Sequence, residues 1–274
     1  MLVVPAFAQE NLGARPMGMG GAFAGLADDV NAIFINPAGL STLNKESVMV
    51  STRISEGREY TMIGGVETTP FGNLGVGYVG STDPIDGLDL SDWEGNNPVK
   101  YTTQTLYVSL AKDLNKEMRM SQNMGTLLLG MNLKFSSRKL GTASGLSQSV
   151  GSSFDMDLAS IFKLNDNLSL GMSLQNFLAG EKAREILNLN TVEERKSAVL
   201  YGASGKLLNG VVTWVVEGEE LGCELRPVKG LAIRAGRGKD CITSGIGINI
   251  NGFGVDYAYL QKDSPVHYWS ISIQ

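Results

Sequence analysis

His267 is the single histidine of the chain, and Cys223 and Cys241 are its only cysteines. One imidazole and two separated thiols are too few soft ligands for a structural or catalytic zinc site. No Gly-x-Ser-x-Gly elbow occurs, and His267 has no evident nucleophile partner for a triad. The Gly18-x-Gly20-Gly21 cluster lacks the preceding strand and following Gly-Lys-Ser/Thr of a phosphate cradle. Asp28-Asp29, followed by Asn31, could ligate a hard cation, but without the spaced acidic run of a calcium loop it reads as turn-forming or capping. The residues therefore suggest no enzyme and no cofactor. Glu224, Arg234 and Asp256 remain, three charges at mid-strand on near-neighbour strands, placed to form an ion-pair network. The alternative is a solvated face with scattered ions.

The elements that position these charges have a period of two. Leu127, Leu129, Met131, Leu133 and Phe135 alternate with Leu128, Gly130, Asn132, Lys134 and Ser136, and Phe253, Val255, Tyr257 and Tyr259 with Gly254, Asp256 and Ala258. Such alternation marks strands with one apolar and one polar face. Turn signals such as Asn165-Asp166, Leu208-Asn209-Gly210 and Asn251-Gly252 divide residues 46–273 into about fourteen strands. Only Glu181–Glu194 offers a helical stripe, where a loop is expected. Alternate connections differ in length, with three long ones (83–99, 139–152 and 179–193) on one side and mostly tight turns on the other. This is the asymmetry of outer-membrane barrels. The two cysteines fall two strands apart, almost 10 Å at the usual strand spacing, which is too far for a disulfide.

The net charge of −5 points to no nucleic-acid partner. No window holds 18 consecutive apolar residues, so no transmembrane helix is predicted, which leaves a membrane barrel open. Met1–Glu10 carries Ala6-Phe7-Ala8 before Gln9, an A-x-A cleavage pattern without a basic n-region. It reads as the remnant of a signal peptide over residues 1–8, or else as an ordinary apolar N-terminus.

The polar face includes Arg53, Glu67, Gln104, Asn132, Lys134, Asp155, Asp157 and Gln175 besides the three charges above, diluted with Gly and Ser. In a membrane barrel that face lines the lumen. Tyr60, Tyr78, Tyr101, Tyr107, Tyr201, Trp214, Phe253, Tyr259, Tyr268 and Trp269 mostly sit near strand ends, as interfacial girdles would.

Gly13–Leu43 is too glycine-rich for a solitary helix and too apolar for a solvated tail. It needs walls around it, and a fourteen-strand lumen is wide enough to need filling. Its Gly-Met-Gly-Gly-Ala-Phe run, Ala-Asp-Asp and Asn-Pro-Ala-Gly-Leu resemble the N-terminal signature of the FadL/PorV superfamily of outer-membrane barrels. Leu221–Leu225, Leu231–Gly236, Phe253–Ala258 and the stretch from His267 to Ser272 resemble the closing strands of PorV/PorQ-type proteins. The resemblance implies an all-β, single antiparallel up-and-down transmembrane barrel in the outer membrane. It divides the chain into a hatch at 9–44, folded into the lumen, and a barrel at 45–274. It further implies passage or binding of a small, fatty-acid-like hydrophobic molecule, with outer-membrane lipid as surroundings. The rival is a PorV-like accessory barrel that docks exported proteins or other envelope components, for which exposed loop aromatics such as Trp93 would speak. A third reading is a structural envelope protein.

Asn36, Pro37, Ala38 and Gly39 are the expected gate of the hatch. Pro37 fixes φ and biases Asn36 toward an extended conformation, Asn36 can bond neighbouring backbone, and Gly39 can take a positive φ. The same tetrapeptide could instead be a turn that only delivers the chain to the first strand.

Overall fold

The structure, a computed structural model, describes residues 13–55, 58–84, 99–118, 125–142, 147–178, 185–186, 189–192 and 197–274. The possible signal remnant and Trp93 lie outside these residues. Fourteen strands close into one antiparallel barrel. They are β1 (Ser47–Ser55), β2 (Arg58–Thr69), β3 (Gly72–Pro84), β4 (Val99–Asp113), β5 (Thr126–Thr142), β6 (Ser147–Asn165), β7 (Leu168–Gln175), β10 (Ala198–Leu207), β11 (Val212–Glu217), β12 (Glu220–Val228), β13 (Leu231–Arg237), β14 (Ile242–Ile250), β15 (Phe253–Gln261) and β16 (Val266–Ile273). Each pairs with its sequence neighbours, and β16 closes on β1 with Val50 opposite Ile271. Between β7 and β10, β8 (Glu185–Ile186) and β9 (Leu189–Val192) form a separate two-stranded hairpin. That hairpin lies within Glu181–Glu194, the stretch that offered a helical stripe where a loop was expected.

Closure satisfies backbone groups between strands, which is what a hydrocarbon surrounding demands. The side chains agree. On β1 Val48, Val50 and Ile54 point outward and are exposed, while Ser47, Met49, Ser51 and Arg53 point inward and are buried. Ile63, Val76, Leu106, Phe135, Leu170, Ile233 and Ile271 continue the exposed apolar belt on other strands. Aqueous surfaces rarely carry so large a contiguous apolar patch. It is the surface of a barrel solvated by lipid. No helix among the described residues is long and apolar enough to cross a membrane.

Two details differ from the sequence expectation. β5 runs on to Thr142 and β6 starts at Ser147, so most of the expected long loop 139–152 is strand. The short-turn end also carries the helix α3 (Leu114–Met118) in the β4–β5 connection. The tight turns there have the expected chemistry, with Asn251 at φ 52° and Gly252 at φ 90°, the left-handed pair that suits an Asn-Gly hairpin. Cys223 is exposed on β12 and Cys241 half-buried before β14, and both are free thiols.

The register also corrects several readings. Glu67 is exposed on the outward face of β2, whose inward positions are Tyr60, Met62, Gly64 and Val66. Gln104 likewise falls between the inward residues Tyr101, Thr105 and Ser109 in the alternation of β4. Tyr60, Tyr101 and Tyr268 are buried inside the barrel rather than forming a girdle. Period two identifies two faces, but a single bulky or polar residue does not reveal which face it is on.

Candidate functional site

Residues 13–43 lie inside the barrel, and every residue from 13 to 40 is buried except Asp28 and Asp29. The segment is mostly irregular. It contains two single turns of helix, α1 (Ala14–Met17) and α2 (Ala32–Ile35), followed by a 3-10 helix at Pro37–Thr42. An irregular segment leaves backbone donors and acceptors unpaired, and burial makes each one costly unless it finds a partner. The polar residues of the inner wall supply those partners. Ser270 Oγ accepts from Ala14 N at 2.8 Å, and Thr243 Oγ1 accepts from Gly20 N at 2.9 Å. Glu217 Oε2 accepts from Phe23 N and Ala24 N at 2.9 and 2.7 Å. Ser204 Oγ donates to Gly25 O, Asn132 Nδ2 to Ile33 O, and Asn73 Nδ2 to Leu43 O, at 2.8, 2.8 and 2.7 Å. The segment thus follows the inner circumference from β16 through β14, β11, β10 and β5 to β3.

Glycines complete the seat. A side chain at Gly130 would run into the backbone of Pro37 and Ala38, one at Gly171 into Ala24 O, and one at Gly222 into Met19. These inward positions leave room for backbone to lie directly on backbone. Gly20, at φ 76°, takes the left-handed region, and a Cβ there would lie 2.6 Å from Arg237 O and 2.7 Å from Leu221 O. Alternation marked such glycines only as diluents of the polar face, because glycine carries no hydropathy signal of its own.

The Asn36–Gly39 tetrapeptide is among the most tightly held parts. Asn36 is extended at φ −145°, ψ 91°, as its position before Pro37 requires. Its Nδ2 donates to Ala24 O at 2.8 Å and Ser160 O at 3.2 Å, while its Oδ1 accepts from Ala38 N at 3.2 Å. Gly39 is not at positive φ, contrary to the expectation from sequence. It is needed because a Cβ there would overlap Ala27. The turn is a 3-10 start capped by Asn36, and the glycine serves close approach.

Glu224, Arg234 and Asp256 do meet. Arg234 Nε donates to Glu224 Oε2 at 2.7 Å, and Arg234 Nη1 to Asp256 Oδ1 at 2.6 Å. The register places Glu224 directly opposite Arg234 on β12 and β13. Arg226 Nε also reaches Glu224 Oε1 at 3.0 Å. The member not anticipated is Arg15, which comes from the inner segment. Its Nε donates to Glu224 Oε2 at 3.0 Å and its Nη1 to Asp28 Oδ1 and Asp29 Oδ2, both at 2.7 Å. Burial opposes the charge on Arg15, and Asp28, Glu224 and Asp29 outweigh it, holding the guanidinium pKa well above its ordinary value. Burial pushes the Asp29 carboxyl up, with Arg15 pulling the other way. Asp29 Oδ1 also accepts from Asn31 N at 2.8 Å, the turn-forming role read from sequence. Nothing in the local pattern around Arg15 pointed to a partner more than two hundred residues away.

Beside this cluster a cavity of about 720 Å³ opens among the short turns, lined by Asp28, Asp29, Arg226, Lys229, Ala232 and Asn251 among others. Its wall is largely polar. Apolar and aromatic groups gather elsewhere inside the barrel, where Tyr60, Met62, Val79, Leu140, Leu260 and Tyr268 are buried on β2, β3, β5, β15 and β16. Phe34 of the inner segment packs edge-on against Tyr107 at 5.2 Å. The inner segment thus packs in one cluster with Tyr60, Met62, Val79, Leu260 and Tyr268, and the polar vestibule opens beside it.

Fold and site together define a fourteen-strand barrel filled by its own N-terminal segment, and the chain shares that fold with FadL-type outer-membrane transporters. Among solved structures it is similar to the toluene transporter TodX of P. putida (TM-score 0.59, 12% identity, 97% of each chain covered). It is also similar to the monoaromatic hydrocarbon channel CymD (TM-score 0.62, 12% identity, 98% and 97% covered). A FadL homologue of Pseudomonas aeruginosa gives a TM-score of 0.56 at 12% identity, covering 95% of this chain and 97% of that one. Neither a family model nor a curated protein matches the chain in sequence.

Proposed function

We propose that this protein is an outer-membrane barrel that passes or holds a small hydrophobic molecule, and that it is not an enzyme. The observation that carries the reading is the filling of the lumen. The N-terminal segment packs in one apolar and aromatic cluster with the inner wall, and a polar vestibule opens beside it among the short turns. Such an arrangement takes an apolar solute from a dry surrounding and releases it toward water. Asn36, Pro37, Ala38 and Gly39 hold the gate in this account by fixing the segment to β5, β6 and Ala27. The solved barrels with this fold include a toluene transporter and a hydrocarbon channel, which supports the same class of cargo.

The rival accessory-barrel reading is favoured by one observation, the close seating of the segment on wall glycines at Gly130, Gly171 and Gly222. Mass spectrometry of detergent-extracted protein separates the two. A stoichiometric copurified fatty acid or aromatic compound supports passage. A clean barrel that retains envelope proteins through mild extraction supports docking.

A further inference from the structure

Cations surround the mouth of the barrel at its short-turn side. They are Lys163 on β6, Lys206 on β10, Arg226 on β12, Lys229 in the β12–β13 turn and Lys45 just before β1. Lys163 shares the inward face of β6 with Asp157 and Ile161, and Lys206 shares that of β10 with Ser204. Lys45, Arg226 and Lys229 line the vestibule. Arg226 is bound to Glu224 with half of its side chain exposed. Among the described residues, Lys45, Lys163, Lys206 and Lys229 have no ion pair. The acidic groups of this end are mostly taken or turned away. Arg15 holds Asp28 and Asp29, Lys116 holds Asp113, Lys112 holds Glu117, and Glu67 faces outward. Glu46 and Asp166 remain. In a chain of net charge −5, a mouth of this sign is a local bias and not a consequence of composition.

Spacing decides which anion these cations suit. Lipid headgroups lie outside the wall, whereas Lys163 and Lys206 stand on its lumen face. Strands lie about 4.8 Å apart, so Lys163, Lys206 and Arg226, each two strands from the next, are about 10 Å apart. A small anion therefore meets one of them at a time. From Lys229 to Lys45, across the mouth of the vestibule, the four strand spacings amount to about 19 Å. An extended chain rises about 3.3 Å per residue, so about six residues cover that span. Separations of this size are close to the Debye length, so the fields of neighbouring cations add and steer an approaching polyanion. We propose that the short-turn mouth docks an acidic peptide segment of a soluble partner protein. Its carboxylates sit on Arg226 and Lys229 at one end and on Lys45 at the other. Asn249 and Asn251 line the cavity and offer neutral hydrogen bonds to the peptide between those ends. Short turns face the periplasm in outer-membrane barrels, so the partner is a periplasmic protein. This goes beyond the passage reading and does not depend on it, because a barrel without hydrophobic cargo has the same mouth.

The test uses the full chain in phosphatidylcholine nanodiscs and a fluorescein-labelled hexaglutamate peptide, read by fluorescence anisotropy against a neutral Gly-Ser hexapeptide. The acidic peptide should bind at least tenfold more tightly than the neutral one and weaken as salt rises. The Lys45→Gln, Lys229→Gln variant should lose at least tenfold in affinity, while Lys239→Gln with Lys262→Gln, at the other end of the barrel, should bind as the unsubstituted protein does. Equal binding of the acidic and neutral peptides, or an unchanged affinity in the Lys45→Gln, Lys229→Gln barrel, overturns the proposal. Displacement by free glutamate at the same concentration of carboxylate assigns the cations to small anions and also overturns it. So does loss of peptide binding when phosphatidylglycerol is added to the nanodiscs, since lipid headgroups then occupy the mouth. Should the variant fail to assemble, acetylation of the unsubstituted barrel decides. Hexaglutamate should slow the labelling of Lys45 and Lys229 at least tenfold relative to Lys239, and equal slowing at all three overturns the docking site. None of these readouts uses a hydrophobic molecule, so failure of the passage reading leaves their outcome untouched.

Discussion

The Asn36–Gly39 turn and the Arg15 cluster both fasten one segment to one barrel, by opposite means. The turn is held by shape and by neutral hydrogen bonds, with Ala38 lying on Gly130 and the Asn36 amide spanning Ala24 and Ser160. The cluster is held by charge, with one guanidinium gripping three carboxylates beside an open cavity. Shape-based contacts are lost as soon as the surfaces part. Charged groups beside water can exchange partners. The difference teaches that shape can seat one part of a filled lumen and charge another.

The comparison is broken most severely at Glu224. Glu224→Gln leaves Arg15 and Arg234 short of their shared carboxylate, and breaking a buried pair costs about 3–5 kcal/mol. The expected outcome is a large drop in the denaturant midpoint, followed by loss of heat-modifiable migration on gels. Next comes the facing of β13. Ile233 is exposed to lipid and Ala232 is buried beside the cavity. Ile233→Arg should lower folding yield by the equivalent of about 2–4 kcal/mol at the membrane midplane. Ala232→Arg, which points into a polar vestibule, should be tolerated better. Equal yields would place the register one residue out.

The seat gives the smallest of the three effects. Gly130→Ala pushes a methyl into Ala38 and should destabilise by about 1–3 kcal/mol. Gly65→Ala, whose added carbon meets nothing nearer than 4.0 Å, should be neutral by the same denaturation assay. Asn36→Ala removes bonds but keeps the shape, and loss of the cap should cost about 0.5–2 kcal/mol. If Gly130→Ala and Gly65→Ala behave alike, the segment is not seated on glycine and the contrast between the two regions fails.

The barrel was largely legible in the sequence because its signals are local. Alternation, the Asn251-Gly252 turn and the spacing of hairpins each act within a dozen residues. The meeting of Glu224, Arg234 and Asp256 was also legible, since adjacent strands bring equivalent mid-strand positions together. What was not legible depends on contacts far apart in the chain. Arg15 reaches Glu224 only because the segment circles the lumen. Tyr60, Tyr101 and Tyr268 sit inside because the register puts them on the inward face, which alternation does not tell from the outward one. Gly39 looked like a residue chosen for its φ, and its neighbour Ala27 explains it instead. The inward serines, threonines and asparagines read only as the polar lining of a lumen, and several of them serve a buried backbone.

The account stands or falls on whether a hydrophobic molecule crosses this barrel. The direct measurement is uptake of a fluorescent fatty acid, or of a radiolabelled aromatic hydrocarbon, into proteoliposomes reconstituted with the folded protein. Uptake well above that of protein-free vesicles is expected. Uptake equal to protein-free vesicles for both classes of solute, from a barrel shown to be folded, would contradict the passage reading.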